Sequence, residues 1–320
     1  MILGCYAARC KDASVLRNSA SGGIFYALAR RFIELGGCVF GCSLDTDDFV
    51  ARHVKVDQIA DLQSLQGSKY VQSELGVTFN QCIEELKRGR RVLFSGTPCQ
   101  IVALRHYLSR EHCDQFQKGN LLLVDLICHG VPMRDVFDKY KKELIEDLGG
   151  KLEYFAFRNK EDSWRRGRLV AKTSQAELNI PYGESPYIKA FVRGLSLMEC
   201  CYRCHFKGDN RAADITLGDC WGIDILNPKF ANDKGTSLVV IHTEVGHRAF
   251  NVIKDQMEAV EVKSESSFRM NLSYSQPTKK PLRRERFLAR YKTSRLSDII
   301  EECSRLPWWY RGVIRRVVKI

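Results

Sequence analysis

Arg91-Val-Leu-Phe-Ser-Gly-Thr-Pro-Cys-Gln100 and Leu121-Leu-Leu-Val-Asp-Leu-Ile-Cys-His-Gly-Val-Pro132 are the stretches that decide the fold. Each begins as a continuous apolar strand and breaks at small, turn-forming residues. A helical pattern then follows, at 101–108 and at 134–148. Apolar strands that alternate with helices are typical of parallel sheets buried on both faces. The sequence therefore predicts an α/β fold with a mixed, largely parallel sheet flanked by helices.

The flanking sequence extends this pattern in both directions. An amphipathic helix is predicted before the first of these stretches and a further one after the second, with strands between them. The segment 150–195 is less regular and leads into an irregular cysteine-bearing insertion at 200–204. The predicted helices are 18–37, 75–87 and 247–257, and the predicted strands are 38–42, 48–56, 214–218 and 237–242.

Two cysteines occupy equivalent places in the predicted sheet. Cys99 and Cys128 each follow the carboxyl end of an apolar strand and precede a helix. Such loops meet at one edge of a parallel sheet, which is the edge where ligands bind. Thr97 is placed to cap the helix and Pro98 to begin it, which puts Cys99 in the first turn, where the helix dipole favours a thiolate. The sequence predicts that two thiolates converge there.

A second pair of cysteines completes a candidate metal site. Cys201-Tyr-Arg-Cys204 is a C-x-x-C motif whose sulfurs can reach one metal centre. Together with Cys99 and Cys128 it supplies the four thiolates that a cubane iron–sulfur cluster requires. A structural zinc ion is the simpler alternative for the same ligands.

Other roles for these cysteines remain open. Cys99 or Cys128 could instead be a nucleophile with His129 as its base. Cys200 and Cys220 stand close by and are either alternative ligands or passive neighbours. The odd total of thirteen cysteines argues against a disulfide framework and suits a reducing compartment.

A small-residue loop at the start of the first long helix predicts a nucleotide site. In Ser19-Ala-Ser-Gly-Gly23 the backbone can approach a ligand closely, and free N–H groups at a helix start attract phosphate. The alternative is an ordinary helix cap with a tight turn. Gly67-Ser-Lys-Tyr70 can add a cation and an aromatic ring beside a cofactor, or be a simple loop.

Composition limits the remaining possibilities. The 320 residues include no secretory leader and no apolar run long enough to cross a membrane, which predicts a cytoplasmic protein. Thirteen Lys/Arg against four Asp/Glu lie in 279–320. The pattern of residues 306–320 predicts a basic amphipathic helix, which would suit an anionic membrane surface or pack on the protein itself. No nucleic-acid-binding module is present.

Taken together, the motifs resemble the family of beta subunits of coenzyme F-420 hydrogenases and dehydrogenases. The resemblance runs in order over roughly residues 5–245. It rests on Ser19-Ala-Ser-Gly-Gly-Ile-Phe, Gly67-Ser-Lys-Tyr-Val-Gln-Ser, Phe94-Ser-Gly-Thr-Pro-Cys-Gln, Asp125-Leu-Ile-Cys-His-Gly-Val-Pro, Phe157-Arg-Asn-Lys, Cys201-Tyr-Arg-Cys and Asp214-Ile-Thr-Leu-Gly-Asp-Cys-Trp-Gly.

The resemblance implies a flavin- and iron–sulfur-dependent oxidoreductase that binds FAD and a 4Fe–4S cluster. Such a protein passes electrons between a hydride carrier, a deazaflavin in the family, and an iron–sulfur partner. The implied regions are a flavin-binding part (1–88), an iron–sulfur part (89–262) and a basic tail (263–320). The implied cluster ligands are Cys99, Cys128, Cys201 and Cys204, and the implied flavin contacts are Ser21, Gly22, Gly23, Ser68 and Lys69.

Two departures from the family pattern affect the expected function. Only Cys5 and Cys10 precede the glycine loop, at the wrong spacing for a ferredoxin domain, so the electron partner is expected to be a separate ferredoxin-like or other iron–sulfur protein. Cys220 stands where relatives usually carry an aromatic residue. Bacterial relatives also serve polysaccharide assembly, so the alternative function is a membrane-peripheral, metal-stabilised accessory protein of surface-polysaccharide biosynthesis without redox activity.

Overall fold

A computed structural model describes residues 2–112, 119–160 and 163–304 of the chain. The elements of the first half are β1 (Gly4–Cys10), α1 (Ala13–Asn18), α2 (Ile24–Glu34), β2 (Cys38–Leu44), β3 (Ala51–Val56), α3 (Thr78–Lys87), β4 (Val92–Ser95), α4 (Pro98–Arg110), β5 (Leu121–Leu126) and α5 (Arg134–Leu148). Those of the second half are β6 (Leu152–Asn159), β7 (Arg168–Thr173), β8 (Glu177–Pro181), α6 (Pro186–Val192), β9 (Ile215–Asp219), α7 (Ile223–Leu226), β10 (Ser237–Ile241), α8 (Glu244–Val252), β11 (Met257–Glu261), α9 (Ser264–Met270), α10 (Leu272–Ser275), α11 (Arg284–Arg290) and α12 (Leu296–Ser304).

An eight-stranded mixed sheet forms the centre of the molecule, in the order β11-β1-β10-β9-β5-β4-β2-β3. Strands β2, β4, β5 and β9 run parallel to one another, while β3, β10, β1 and β11 extend the sheet by antiparallel pairing. The predicted α/β class with a parallel centre is therefore confirmed. Because β1 runs in the same direction as the parallel strands, the carboxyl ends of five strands share one edge.

Helices cover both faces of this sheet. The apolar face of α2, which includes Ile24 and Leu28, packs with α8 on one side. Helices α3 and α4 pack on the other side, where Ile101 and Leu104 of α4 are fully buried. Burial of this apolar area on both sides is what holds the central strands in place.

A second, three-stranded antiparallel sheet of β6, β7 and β8 packs beside the first. Its apolar face joins α5, α6, α11 and α12 in one core rich in aromatic side chains, with Phe137, Phe157 and Tyr187 fully buried. None of the helices among the described residues is long and apolar enough to cross a membrane. The predicted amphipathic segment 306–320 lies outside the described residues.

The structure moves some of the predicted boundaries. The helix predicted from residue 18 begins only at Ile24, because Gly23 adopts a left-handed conformation (φ 81°) that caps the helix. The helix predicted over 247–257 was wrong at both ends, since α8 spans Glu244–Val252 and Met257 begins β11. The strand β1 was not predicted, although it pairs with β10 and β11.

Candidate functional site

Three adjoining cavities lie along the edge where the parallel strands end. The inner cavity, about 360 Å³, is lined by the glycine loop (Ser19–Gly23), the Gly67–Lys69 loop and the ends of β4, β5 and β9. The cysteine-side cavity, about 480 Å³, contains Cys128 and His129. The outer cavity, about 1120 Å³, opens toward the three-stranded sheet. The volumes of the inner and cysteine-side cavities are in the range of small-molecule and cofactor sites, and the outer cavity is larger.

The inner and cysteine-side cavities are parts of one cleft. They share the lining residues Lys69, Tyr70, Val71, Thr97, Leu126, Ile127, Val131 and Asp219. The outer cavity in turn shares the Gly67–Lys69 loop with the inner one. A ligand in the inner cavity would therefore lie between the outer opening and the cysteine loop.

The glycine loop is held tightly against the sheet. Gly22 donates a hydrogen bond from its N–H to Ser237 Oγ (2.9 Å), and its carbonyl accepts one from the Cys10 N–H (2.7 Å). Ser21 Oγ donates to the Thr236 carbonyl (2.9 Å). The loop thus lies at the start of α2. The first N–H groups of a helix have no partner within the helix and can bind an anion. Ser21 and Gly23 line the inner cavity, whereas the backbone groups of Gly22 are hydrogen-bonded to β1 and β10 of the sheet.

Substitution of Gly22 is expected to unfold the loop rather than to probe a ligand. An added Cβ would lie 2.3 Å from the Ala8 carbonyl oxygen and 2.6 Å from the Ser237 nitrogen. We expect Gly22→Ala to reduce the free energy of unfolding by about 3 kcal/mol, because neither backbone can move aside. Gly76→Ala, where φ is +50° but nothing lies within 4 Å, should cost only about 1 kcal/mol. Urea unfolding tests this, and equal losses would contradict it.

Lys69 stands where the three cavities meet. Its ammonium donates to the carbonyls of Ser64 (3.0 Å) and Gln66 (2.7 Å), which leaves one of its N–H groups without a partner among these contacts. Burial lowers the pKa of Lys69 to about 8, and the nearby Cys42 thiol opposes this shift. The neighbouring Tyr70 ring stacks on Phe191 with centroids 4.9 Å apart. A cation and an aromatic ring therefore border the inner cavity.

The loop that carries Cys128 approaches the turn that carries Cys201. The Val131 N–H donates a hydrogen bond to Cys201 Sγ (3.4 Å). Gly130 has φ +141°, and a Cβ there would lie 2.7 Å from Leu197 and 3.3 Å from the Cys201 Cβ. Only glycine lets the two segments come this close. Burial raises the pKa of Cys128 to about 11 and that of Cys201 to about 12.

The predicted ligands lie close enough to one another for their thiols to interact electrostatically. The Cys128 thiol interacts with those of Cys99, Cys204 and Cys201. Lys207 interacts with Cys128, Cys204 and Cys201, and its ammonium donates to the Cys128 carbonyl and to the Ser273 carbonyl (2.8 Å). Among the described residues, however, no three His, Cys, Asp or Glu side chains form a group that could hold a metal ion. The thiols gather in one neighbourhood without converging on a single point.

The remaining cysteines near the site differ in their surroundings. Cys99 is exposed in the first turn of α4, as predicted, and its sulfur lies 3.1 Å from Thr97 Oγ1. Cys200 is exposed beside Cys201. Cys220 is fully buried in the apolar cluster of Trp164, and its electrostatic neighbours are Cys5 and Asp219. Cys200 is thus the closer of the two alternative ligands to the cysteine neighbourhood.

Two basic residues for which the sequence predicted no role stabilise the sheet edge that carries the cavities. Arg158 donates to Asp219 Oδ2 (2.7 Å) and to the Trp164 carbonyl (2.7 Å), and Trp164 Nε1 donates to Asp219 Oδ1 (3.0 Å). Lys160 donates to the carbonyls of Ser21 and Lys234, each at 2.7 Å. Both belong to Phe157-Arg-Asn-Lys160, where the end of β6 in the smaller sheet contacts the glycine loop.

A buried ion pair fixes the segment that follows the C-x-x-C motif. Arg211 NH1 lies 3.2 Å from Asp125 Oδ2, and both side chains are only 1% exposed. Thr216 Oγ1 donates to Asp125 Oδ1 (2.5 Å) and contacts His242 Nε2 (2.8 Å). Burial raises the pKa of Asp125 to about 6 against the opposing influence of Arg211 and Thr216.

Removing one partner of this pair should be costly. At pH 8, where the carboxylate is ionised, we expect Asp125→Asn to lower the free energy of unfolding by about 3 kcal/mol, because Arg211 is left as a buried, uncompensated charge. Asp45→Asn breaks a pair with Arg52 in which both side chains are more than a third exposed, and should cost less than about 1 kcal/mol. Chemical denaturation distinguishes the two, and a small loss at both positions would contradict the assignment.

Comparison with known proteins identifies the family. Residues 89–266, more than half of the chain, match the family profile that describes the C terminus of the coenzyme F420 hydrogenase/dehydrogenase beta subunit. The chain belongs to this family. The resemblance stated from the motifs is therefore confirmed.

Two further proteins are similar to the chain. One component of the F(420)H(2) dehydrogenase of Methanosarcina mazei is 22% identical over 264 residues, which cover 80% of this chain and 64% of that protein. The chain thus spans less than two thirds of that relative. A chain of the F420-reducing NiFe hydrogenase complex from Methanosarcina barkeri has the same fold, with a TM-score of 0.54 and 19% identity over 85% of this chain and 90% of its own.

Several features near the cysteines and the inner cavity suit the cofactors that the resemblance implies. An N–H donor to sulfur, as from Val131 to Cys201, and a lysine among thiols are features that stabilise negative charge on thiolates. The glycine loop and Lys69 offer donors at the inner cavity. The signal for Lys207 was its place three residues after Cys204.

Proposed function

We propose that this protein is a flavin- and iron–sulfur-dependent oxidoreductase that passes electrons between a hydride carrier or substrate and an iron–sulfur partner. The observation that carries the proposal is the continuity of the inner and cysteine-side cavities, which share eight lining residues. A redox cofactor in the inner cavity would lie directly beside the Cys128 loop. Electron transfer between two redox groups needs such proximity.

FAD is the cofactor proposed for the inner cavity. Ser21, Gly23, Ser68 and Lys69 would contact it, and Gly22 would serve indirectly by fixing the loop on Ser237. The remaining Lys69 N–H and the start of α2 would hold the anionic part of the molecule. When bound, FAD accepts two electrons as a hydride and releases them singly.

A 4Fe–4S cluster is the group proposed for Cys99, Cys128, Cys201 and Cys204. Lys207 would offset the negative charge of the thiolates, and the Val131 N–H would orient the Cys201 sulfur. Arg158 and Lys160 would hold the wall between the cavities by fixing Asp219 and Ser21. These residues position and tune the redox groups, while the cofactors supply the redox chemistry.

The outer cavity is proposed to admit the hydride carrier. It opens onto the Gly67–Lys69 loop. Among the described residues, five cations line it (Arg17, Lys69, Arg158, Lys160 and Lys172) against three acids (Asp45, Glu153 and Glu177), and this excess of positive charge suits an anionic carrier. A deazaflavin is the carrier that the names of the relatives suggest. A separate iron–sulfur protein as partner and a cytoplasmic location, where thiolates persist, belong to the same proposal.

Anaerobic mixing of the flavin-loaded protein with a reduced deazaflavin, and in parallel with NADH, tests the function. We expect the deazaflavin to bleach the bound flavin rapidly, followed by slower bleaching of the iron–sulfur absorbance. Bleaching by NADH alone would support the oxidoreductase activity but would identify a nicotinamide, and not a deazaflavin, as the hydride carrier. A bound flavin that neither donor reduces would contradict the proposed function.

A further inference from the structure

Exposed apolar side chains gather next to the cysteine-side cavity. Val192 is 52% exposed and Leu272 is 64% exposed, and with Met270 both line the cavity that contains Cys128. Met198 is 39% exposed, and its N–H donates to the carbonyl of Val131 in the Cys128 loop (2.9 Å). We call Val192, Met198, Met270 and Leu272 the docking face. Apolar groups clustered on a surface mark interaction sites.

The charges around the docking face are predominantly positive. Segments 189–211 and 269–285 together contain ten Lys/Arg against three Asp/Glu. Two of those acids are already compensated, since Lys280 pairs with both Glu199 (3.1 Å) and Glu285 (3.0 Å). Four of the cations are exposed and form no ion pair within the described part of the chain: Arg193, Arg203, Arg269 and Lys279.

The docking face is built on fixed backbone rather than on a loose loop. Thr278 Oγ1 donates to the His129 carbonyl (2.5 Å), which ties the segment 270–284 to the Cys128 loop. Arg284 donates to the Leu197 carbonyl (2.8 Å) and to Tyr202 Oη (2.6 Å), which ties it to the C-x-x-C turn. A preformed surface loses little conformational entropy when a partner binds.

We propose that the docking face binds an acidic protein that carries a one-electron centre. This inference rests on the proposed function, because it assigns the exit of electrons to the side of the molecule where Cys201 and Cys204 lie. An apolar patch surrounded by uncompensated cations matches a partner with an apolar patch and a rim of carboxylates. Charge complementarity of this kind speeds encounter and orients the two centres toward each other.

The test measures binding of a small acidic ferredoxin to the purified protein at low and at moderate salt, with a basic cytochrome c as the control probe. Iron, sulfide and flavin contents are recorded for every sample. We expect the double charge reversal Arg203→Glu and Lys279→Glu to weaken ferredoxin binding about tenfold at low salt. The matched double reversal Lys87→Glu and Arg110→Glu, at exposed positions of α3 and α4, should leave it unchanged.

A second pair of variants tests the apolar part without changing charge. Leu272→Ser should weaken ferredoxin binding about threefold or more, whereas Val77→Ser, at a side chain that is 63% exposed elsewhere on the surface, should not. Equal binding by all variants, no binding of ferredoxin, or stronger binding of cytochrome c would overturn the docking face. Lack of cofactors would instead overturn the proposed function, and the binding comparison would still decide the inference.

Discussion

Cys204→Ser is expected to remove nearly all iron–sulfur absorbance from the anaerobically purified protein. Serine is a poorer ligand for iron than a thiolate, and the remaining thiolates would leave one corner of the cluster without its ligand. Cys204 is half-buried at the end of the 3-10 helix Glu199–Arg203, so its replacement removes little packing. Loss of colour would therefore report on the ligand and not on the fold.

Two matched variants sharpen this prediction. Cys303→Ser changes a half-buried thiol on α12, away from the cysteine neighbourhood, and should retain the full iron content. Cys200→Ser separates the proposed ligand set from its nearest alternative, and should also retain it. If Cys200→Ser lost the iron while Cys204→Ser kept it, the proposed ligand set would be wrong.

Lys69→Met is expected to weaken FAD binding by at least about tenfold, the second large effect. The methionine keeps most of the length of the side chain but removes its charge. Among the described residues, Lys69 is the one charged side chain that lines all three cavities. A hydrogen bond between a cation and an anionic ligand contributes about 1.5–3 kcal/mol. Equilibrium dialysis or fluorescence titration of the flavin-free protein with FAD measures the change.

The control for Lys69 is another lysine of the outer cavity. Lys172 lines only that cavity and is paired with Glu177 (3.1 Å), so Lys172→Met should leave FAD affinity nearly unchanged. The two variants should unfold at similar urea concentrations. If the Lys69→Met protein bound FAD as tightly as the wild type, the proposed contact between Lys69 and the flavin would be wrong.

Local sequence was enough to predict the centre of the fold. The two stretches around Cys99 and Cys128 predicted apolar strands, turns and helices, and the structure contains β4, α4, β5 and α5 in those places. Their shared direction then followed from parallel pairing, which explains why both loops lie on one edge. The position of both loops at one edge could be predicted because it depends on the shared direction of β4 and β5 and not on the order of the other strands.

The parts that could not be predicted depend on contacts between distant residues. Strand β1 pairs with β10 and β11, more than two hundred residues later, and no local pattern specifies such a register. Lys160 reaches Ser21 across 139 positions, and Arg158 reaches Asp219 across 61. The motif predicts that Gly22 contacts the flavin. Its tight packing on Ser237 also requires a glycine there, and the motif alone cannot reveal this packing. The regions 1–88 and 89–262 stay a prediction, and the sheet takes strands from both.

The most direct test of the account is the cofactor content of the anaerobically purified protein. Iron, acid-labile sulfide, zinc and flavin are measured per chain on the same sample. We expect a brown protein with about four iron, about four sulfide and about one FAD per chain. A colourless protein that holds one zinc ion and no flavin would contradict it.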